Sequence, residues 1–248
     1  MKQAGVFTAT RWEFDAVRRA LRDVRAQARQ GERVVVGRRG NWDVVLAQTG
    51  VGPEQAAAVC REVLRAQPVE LVVSAGLACA LVPARIGDLL VGTDVSMVAD
   101  GRTAGPVKQG CAGGIVTAAV RAAAQAGLPV QAGSFVTAPR ILWHAADKRA
   151  MAEMTGAIGL DMESAALAAV AAERAAPFAI VRSVSDLVDE TLPVDFNLFL
   201  KPAGWMKGLA ACVAAPSCVG GLFRLRRQMR VASGRLSRFF EQFLDELS

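Results

Sequence analysis

A single histidine, His144, stands in a chain of 248 residues, and the five cysteines (Cys60, Cys79, Cys111, Cys212, Cys218) are odd in number, scattered and without a CxxC pair. Zinc sites need clustered Cys and His, and disulfide frameworks need even, regular spacing, so both readings are weak. No apolar stretch runs uninterrupted for the ~18 residues that a bilayer span requires. The first residues also lack the charged, then apolar, then small pattern of a secretory signal. A cytoplasmic location is therefore expected. No Pro/Gly/Ser-rich linker divides the chain, which favours one globular domain. Acidic residues are absent from Lys201 to Phe240, where Lys201, Lys207, Arg224, Arg226, Arg227, Arg230, Arg235 and Arg238 supply all the charge.

What is present is a composition that folds: 52% hydrophobic and 21% charged, with a net charge of +6. Because the basic tail carries more positive charge than the whole chain, the body is mildly acidic. That asymmetry points to a local anionic surface or partner, and away from a nucleic-acid binder, which spreads positive charge along a face.

Short β-branched runs alternate with Ala-, Leu- and Arg-rich helical stretches. Strands are expected at Val6 to Ala9, Arg33 to Gly37, Asp43 to Gln48, Leu71 to Ser74, Leu89 to Val91, Val130 to Val136, Ile158 to Leu160 and Phe178 to Val184. Helical spacing links Phe14, Val17, Leu21, Val24 and Ala28, and Pro53 suits the first turn of a helix reaching about Ala66. Further helices are expected over Ile115 to Ala126, Ala145 to Met154 and Glu163 to Ala176. The pattern predicts an α/β fold: a single domain over residues 1–200 with a central mixed β-sheet flanked by helices. A basic amphipathic helical segment over 201–248 is expected to pack on it. There, Leu222, Leu225, Met229, Ala232, Leu236, Phe239, Phe243 and Leu247 form one apolar stripe. Trp205, Met206, Leu209, Val213, Leu222 and Phe223, set among cations, add an interfacial reading.

The densest chemical signal is Gly159-Leu160-Asp161-Met162-Glu163-Ser164-Ala165-Ala166, followed by Pro177 to Asp186 with Arg182, Ser185 and Asp186 at its end. A strand runs into a helix whose first turn carries two carboxylates, and a second strand ends in Ser-Asp. Carboxyl ends of strands are where open α/β sheets bind ligands. Asp161 is read as a helix cap.

The D-M-E-S-A-A…F-x-x-x-R-x-x-S-D arrangement resembles the purine nucleoside phosphorylase superfamily, and within it the methylthioadenosine/S-adenosylhomocysteine nucleosidases. The resemblance spans roughly residues 4 to 200. It implies that Glu163 accepts from the ribose hydroxyls, that Met162 lines the sugar, and that Asp186 donates to purine N7 with Ser185 orienting it. It matches Glu13 to a water-activating glutamate. Gly76 falls in the loop that follows a central strand, where Leu77, Cys79 and Ala80 depart from the family's Ser and Gly. Ile141 stands at the aromatic position beside the base; Trp143 and Phe135 are the aromatic candidates to replace it, and both also read as ordinary core.

These residue types suit the chemistry. Breaking C1′–N9 leaves an oxocarbenium-like sugar and an anionic purine, so a general acid lowers the barrier by protonating the departing base. Asp186 is expected to need a water-excluding environment for that task, whereas Glu163 is expected to stay ionised. Thr49-Gly50-Val51-Gly52-Pro53 opens a helix and reads as an anion-holding or plain tight turn. Arg11, Arg85 and Arg140 are candidate phosphate contacts. No metal or cofactor is implied, and phosphate and water are both open as the acceptor.

The tail on this core resembles the hopanoid-associated phosphorylase subgroup, which implies adenosylhopane as substrate and peripheral contact with an anionic membrane at the inner face. A homodimer is the family's habit. Two other readings stay open: a soluble methylthioadenosine/S-adenosylhomocysteine or purine-salvage enzyme, and a catalytically dead nucleoside-binding or membrane-recruiting protein of the same fold.

Overall fold

A computed structural model of the chain describes residues 2–27, 33–99, 102–199 and 216–247. Along the chain run β1 (Lys2–Thr8), α1 (Arg11–Ala20), β2 (Arg22–Gln27), β3 (Arg33–Arg39), β4 (Trp42–Gln48), α2 (Pro53–Ala66), β5 (Leu71–Ala80), β6 (Leu89–Ala99) and β7 (Arg102–Gly110). There follow α3 (Gly113–Gln125), β8 (Val130–Thr137), α4 (Ala145–Thr155), β9 (Gly159–Asp161), α5 (Ser164–Glu173), β10 (Phe178–Leu187), a 3₁₀ turn (Phe196–Phe199) and α6 (Pro216–Glu246).

The strands form one mixed sheet, as expected. β1 lies between β4 and β5, parallel to both, and β3 and β2 continue outward antiparallel. β10 pairs with both β5 and β6, and β9 with both β5 and β8, so β5, β10, β6, β8 and β9 close on themselves. β9 runs antiparallel to β5, with Leu160 opposite Cys79, which delivers Asp161 back towards the middle of β5.

Period-two alternation sends successive residues to opposite faces. Val44, Leu46, Leu71, Val73 and Val181 meet α1, α3 and α6 on one side, while Val45, Ala47, Val72 and Ile180 meet α2 and α5 on the other. The α6 stripe is a core element in its second half: Ala232, Leu236, Phe239, Phe240 and Phe243 are fully buried against α1 and α3. Its first half, with Val219, Phe223 and Val231, remains exposed. Lys201, Trp205, Met206, Lys207, Leu209 and Val213 lie outside the described residues.

Three local expectations change. The helix read from Phe14 to Ala28 ends at Ala20; Leu21 turns extended, Asp23 adopts φ 52°, and Arg22–Gln27 pairs with β3. An unpaired sheet edge offers that segment a full hydrogen-bond ladder, which outweighs helical spacing. β7 was not foreseen. The loop expected after Ser74 is instead strand to Ala80, because β10 and β9 flank it on both sides.

Candidate active site

Glu13 enters the site as the third residue of α1. Thr10 caps that helix, and the Glu13 Oε2 reciprocates by accepting from the Thr10 backbone N–H at 2.6 Å and its hydroxyl at 2.9 Å. Its Oε1 accepts from the Leu77 N–H at 2.8 Å. This second bond depends on Gly76: a Cβ there would lie 2.4 Å from Oε1. Gly76, expected as a substrate contact, therefore serves as the seat of the Glu13 carboxylate.

Asp161 closes the head of α5. Its Oδ1 accepts from the Thr137 hydroxyl at 2.7 Å and from the N–H groups of Ser164 (3.1 Å) and Glu163 (3.2 Å). Its Oδ2 accepts from the Ser164 hydroxyl and from Arg182 Nε and Nη2 at 3.2 and 2.8 Å. Arg182, buried in the middle of β10, also donates through Nη2 to Ser74 at 2.8 Å. Its Nη1 is buried with no hydrogen-bond partner among the described residues, and it lies 3.2 Å from the Gly76 Cβ position that Glu13 crowds. A buried N–H without a partner is costly, and this one lies beside the Glu13 carboxylate, both within 3.2 Å of the same Gly76 Cβ position.

Glu163 follows Met162 at the N-cap of α5, and its Oε1 accepts from the Gly52 N–H at the head of α2 at 2.8 Å. The glycine turn thus spends that N–H on a carboxyl of the chain itself. Burial, reinforced by the Asp161 charge, pushes the Glu163 carboxyl up to about 8, against the opposing pull of the Gly52 N–H and Arg182. The shift favours the protonated form of this group, in the direction opposite to the ionised form expected of it.

Asp186 stands where β10 leaves its register with β5 through a bulge between Val184 and Asp186. Its Oδ1 accepts from the Ser185 hydroxyl at 2.9 Å, and its Oδ2 from the buried ammonium of Lys148 at 2.6 Å. The surroundings of Asp186, expected to exclude water, thus include a fully buried cation on one side, while its own side chain keeps 13% exposure.

Glu13, Met162, Glu163, Ser185, Asp186 and Ile141 line one cleft of about 210 Å³, together with Val51, Cys79, Arg140 and Leu192. Burial pushes the Cys79 thiol well up, with the Asp186 charge adding to it, so it serves as a neutral wall. Ile141 is held by a two-way pairing with the Asn197 amide. Phe135 is core beneath Gly159, and Trp143 stacks on His144; neither is among the residues lining the cleft. Of the candidate phosphate contacts only Arg140 reaches the cleft. A larger groove of about 420 Å³ runs along β2 to β4, but its Arg38 and Asp43 pair with each other at the surface and no buried carboxylate faces it. Among the described residues, no group of three His, Cys, Asp or Glu side chains could hold a metal ion.

Two residues gain importance from the structure. Arg182 is legible as a lone charge inside the β-branched run Phe178 to Val184, whereas Lys148, between Asp147 and Arg149, looks in sequence like any solvated helix position.

A sequence model described as the phosphorylase superfamily matches residues 3–203. The 5'-methylthioadenosine/S-adenosylhomocysteine nucleosidase of Haemophilus ducreyi is 26% identical over 208 residues, covering 79% of this chain and 90% of that protein. The Geobacillus thermodenitrificans protein of the same name is 28% identical over 205 residues, covering 73% and 85%. Among solved structures, the Neisseria meningitidis nucleosidase in complex with methylthio-immucillin-A superposes with a TM-score of 0.79 at 20% identity, covering 99% of both chains. The futalosine hydrolase of Helicobacter pylori gives 0.78 at 17% identity, covering 99% of this chain and 98% of that one.

Proposed function

The chain belongs to the phosphorylase superfamily, and we propose that it cleaves the N-glycosidic bond of an adenine nucleoside, with water as the acceptor, releasing adenine. The observation that carries this reading is the convergence of Glu13, Glu163 and Asp186 on one cleft from the ends of three separate elements. Asp186 protonates N7 as the base departs. Glu163 hydrogen-bonds the ribose hydroxyls and, once ionised, favours positive charge growing on the sugar. Glu13 takes a proton from a water held between its Oε1 and the unused Nη1 of Arg182, on the face opposite the base. Curated relatives named as nucleosidases support water over phosphate, as does a site where an incoming phosphate would meet Glu13. Incubation with 5'-methylthioadenosine, with and without phosphate, tests the reading: adenine and a free reducing sugar are expected in both. Product formed only with phosphate, as a sugar 1-phosphate, replaces hydrolysis by phosphorolysis.

The finer reading is that the nucleoside carries a lipid on its 5′ carbon, as in adenosylhopane, and that the protein meets it at an anionic membrane surface. Its support is the first half of α6. Phe223, Val219 and Val231 are 67%, 50% and 41% exposed there, among the exposed Arg226, Arg227 and Arg230. This half of the helix lies against the loop that walls the cleft: a Cβ on Gly221 would strike Pro193, and Gln228 donates to Glu190 at 3.0 Å, while Leu192 between them faces the cleft. No helix among the described residues is long and apolar enough to cross a membrane, so the contact is peripheral.

A further inference from the structure

The Asp186 carboxylate is held at both oxygens, and the stronger hold comes from a residue that the chemistry above does not use. Lys148 sits on α4 with its side chain 0% exposed, while Asp186 keeps 13% and lines the cleft. An ammonium has three N–H donors, and each one here meets an acceptor: Asp186 Oδ2 at 2.6 Å, the Glu190 carbonyl at 2.8 Å and the Leu187 carbonyl at 3.3 Å. All three acceptors lie on the last two residues of β10 or on the segment that continues from it to Leu192 on the cleft wall. Burying a charge is unfavourable, and a buried ion pair replaced as a whole by apolar side chains of similar volume is often no less stable. Packing alone therefore does not call for a lysine in this slot.

We propose that Lys148 is a positioning residue for departure of the base, acting through Asp186, and that it decides which carboxylate oxygen reacts. With Oδ2 held by the ammonium, the proton destined for the base is carried on Oδ1. The Ser185 hydroxyl, which lies 2.9 Å from Oδ1 and 3.3 Å from the Ala78 carbonyl, turns to that carbonyl when Oδ1 is protonated. As C1′–N9 breaks, its electron pair goes to the purine and the Oδ1 proton passes to N7. The carboxylate left behind is an anion already paired with Lys148. The water that adds to C1′ gives its proton to Glu13, and exchange with solvent restores both groups. The inference rests on the adenine-nucleoside reading above.

Lys148→Met and Lys148→Gln test it, assayed for adenine release from 5'-methylthioadenosine and for nitrophenolate release from 4-nitrophenyl β-riboside, whose leaving group departs without a proton. The kcat for adenine release falls on the order of 10- to 100-fold, a part of the ~10²–10⁴-fold that a general acid supplies. KM and nitrophenolate release stay close to wild type. In the Asp186→Asn background, adding Lys148→Met costs nothing further, because the two residues act as one unit. Should the single variants fail to fold, the double variant, which leaves neither charge unpaired, carries the test. Unchanged adenine release, equal loss of both activities, or multiplicative loss in the double variant overturns the proposal. A wild-type protein that releases adenine from no nucleoside overturns the functional reading itself, and this inference with it.

Discussion

The Gly52 N–H at the head of α2 donates to Oε1 of Glu163 at the head of α5 across 2.8 Å, so the termini of two helices meet on one buried carboxyl. The bond favours the ionised form, yet burial and Asp161 outweigh it and leave the group at about 8.

For Glu163 the stability consequence has a definite sign. Between the ordinary carboxyl value of 4.5 and about 8 the folded protein keeps a proton that the unfolded chain has lost. Stability therefore falls as pH rises through that window and levels off above it. Glu163→Gln removes the effect while keeping an acceptor for Gly52. Its Tm should match wild type below the window and exceed it at pH 8 by at least ~2–4 °C, the shift that about 1 kcal/mol produces in a chain of this size. Turnover should fall about 10- to 100-fold with loss of the charged sugar contacts. Scanning calorimetry of both proteins across pH checks the first statement; a Tm difference that does not change with pH removes it.

Asp186→Asn keeps an acceptor for Lys148 and a partner for N7 but no proton to give. Adenine release should drop about 10²–10⁴-fold with nucleoside binding retained. Isothermal titration with 5'-methylthioadenosine beside a turnover assay decides it, and wild-type turnover would rule out Asp186 as the acid.

Glu13→Gln separates the two acceptors. A water nucleophile needs a base, whereas phosphate arrives as an anion, so phosphate-independent adenine release should collapse by about 10²-fold or more. A phosphate-requiring activity that the substitution leaves intact would assign phosphorolysis instead.

Gly76→Ala probes the same carboxylate without touching it chemically. The new Cβ would sit 2.4 Å from Glu13 Oε1 and 3.2 Å from Arg182 Nη1, so the carboxylate must shift. Overpacking of this kind costs ~1–3 kcal/mol of stability, and kcat should fall more than KM rises. Equal kinetics for the variant and wild type would show that Glu13 does not depend on this seat.

The exposed half of α6 is tested apart from the chemistry. Replacing Arg226, Arg227 and Arg230 with Gln should release the protein from anionic liposomes at low salt, since each cation near such a surface contributes about 1 kcal/mol and salt screens it. Cleavage of a short-chain soluble adenosine analogue should be unaffected. Native protein that does not sediment with those liposomes would remove the support for a lipid-linked substrate.

The local grammar of the chain carried the α/β alternation, the proline-started helix at Pro53 and the carboxylates flanking Met162, because periodicity and capping act within a turn or a strand. It also placed Ser185 and Asp186 together at a strand end. The arrival of Glu163 and Asp186 in one cleft required β10 to flank β5 and β9 to return antiparallel to it. Pairings decided by the sheet's path left no local trace. Arg182 meets Asp161 from a different strand, Gly76 on β5 makes room for Glu13 across three intervening strands and α2, and Lys148 reaches Asp186 on β10 from α4. The same holds for Arg22–Gln27, helical by spacing but drawn into an edge strand by β3, and for α6, whose stripe divides into a core half and an exposed half. Side-chain type and short-range spacing identify what chemistry a residue offers; which groups share one dielectric and one hydrogen bond is set by long-range packing, and the upward shift of the Glu163 carboxyl arises only there.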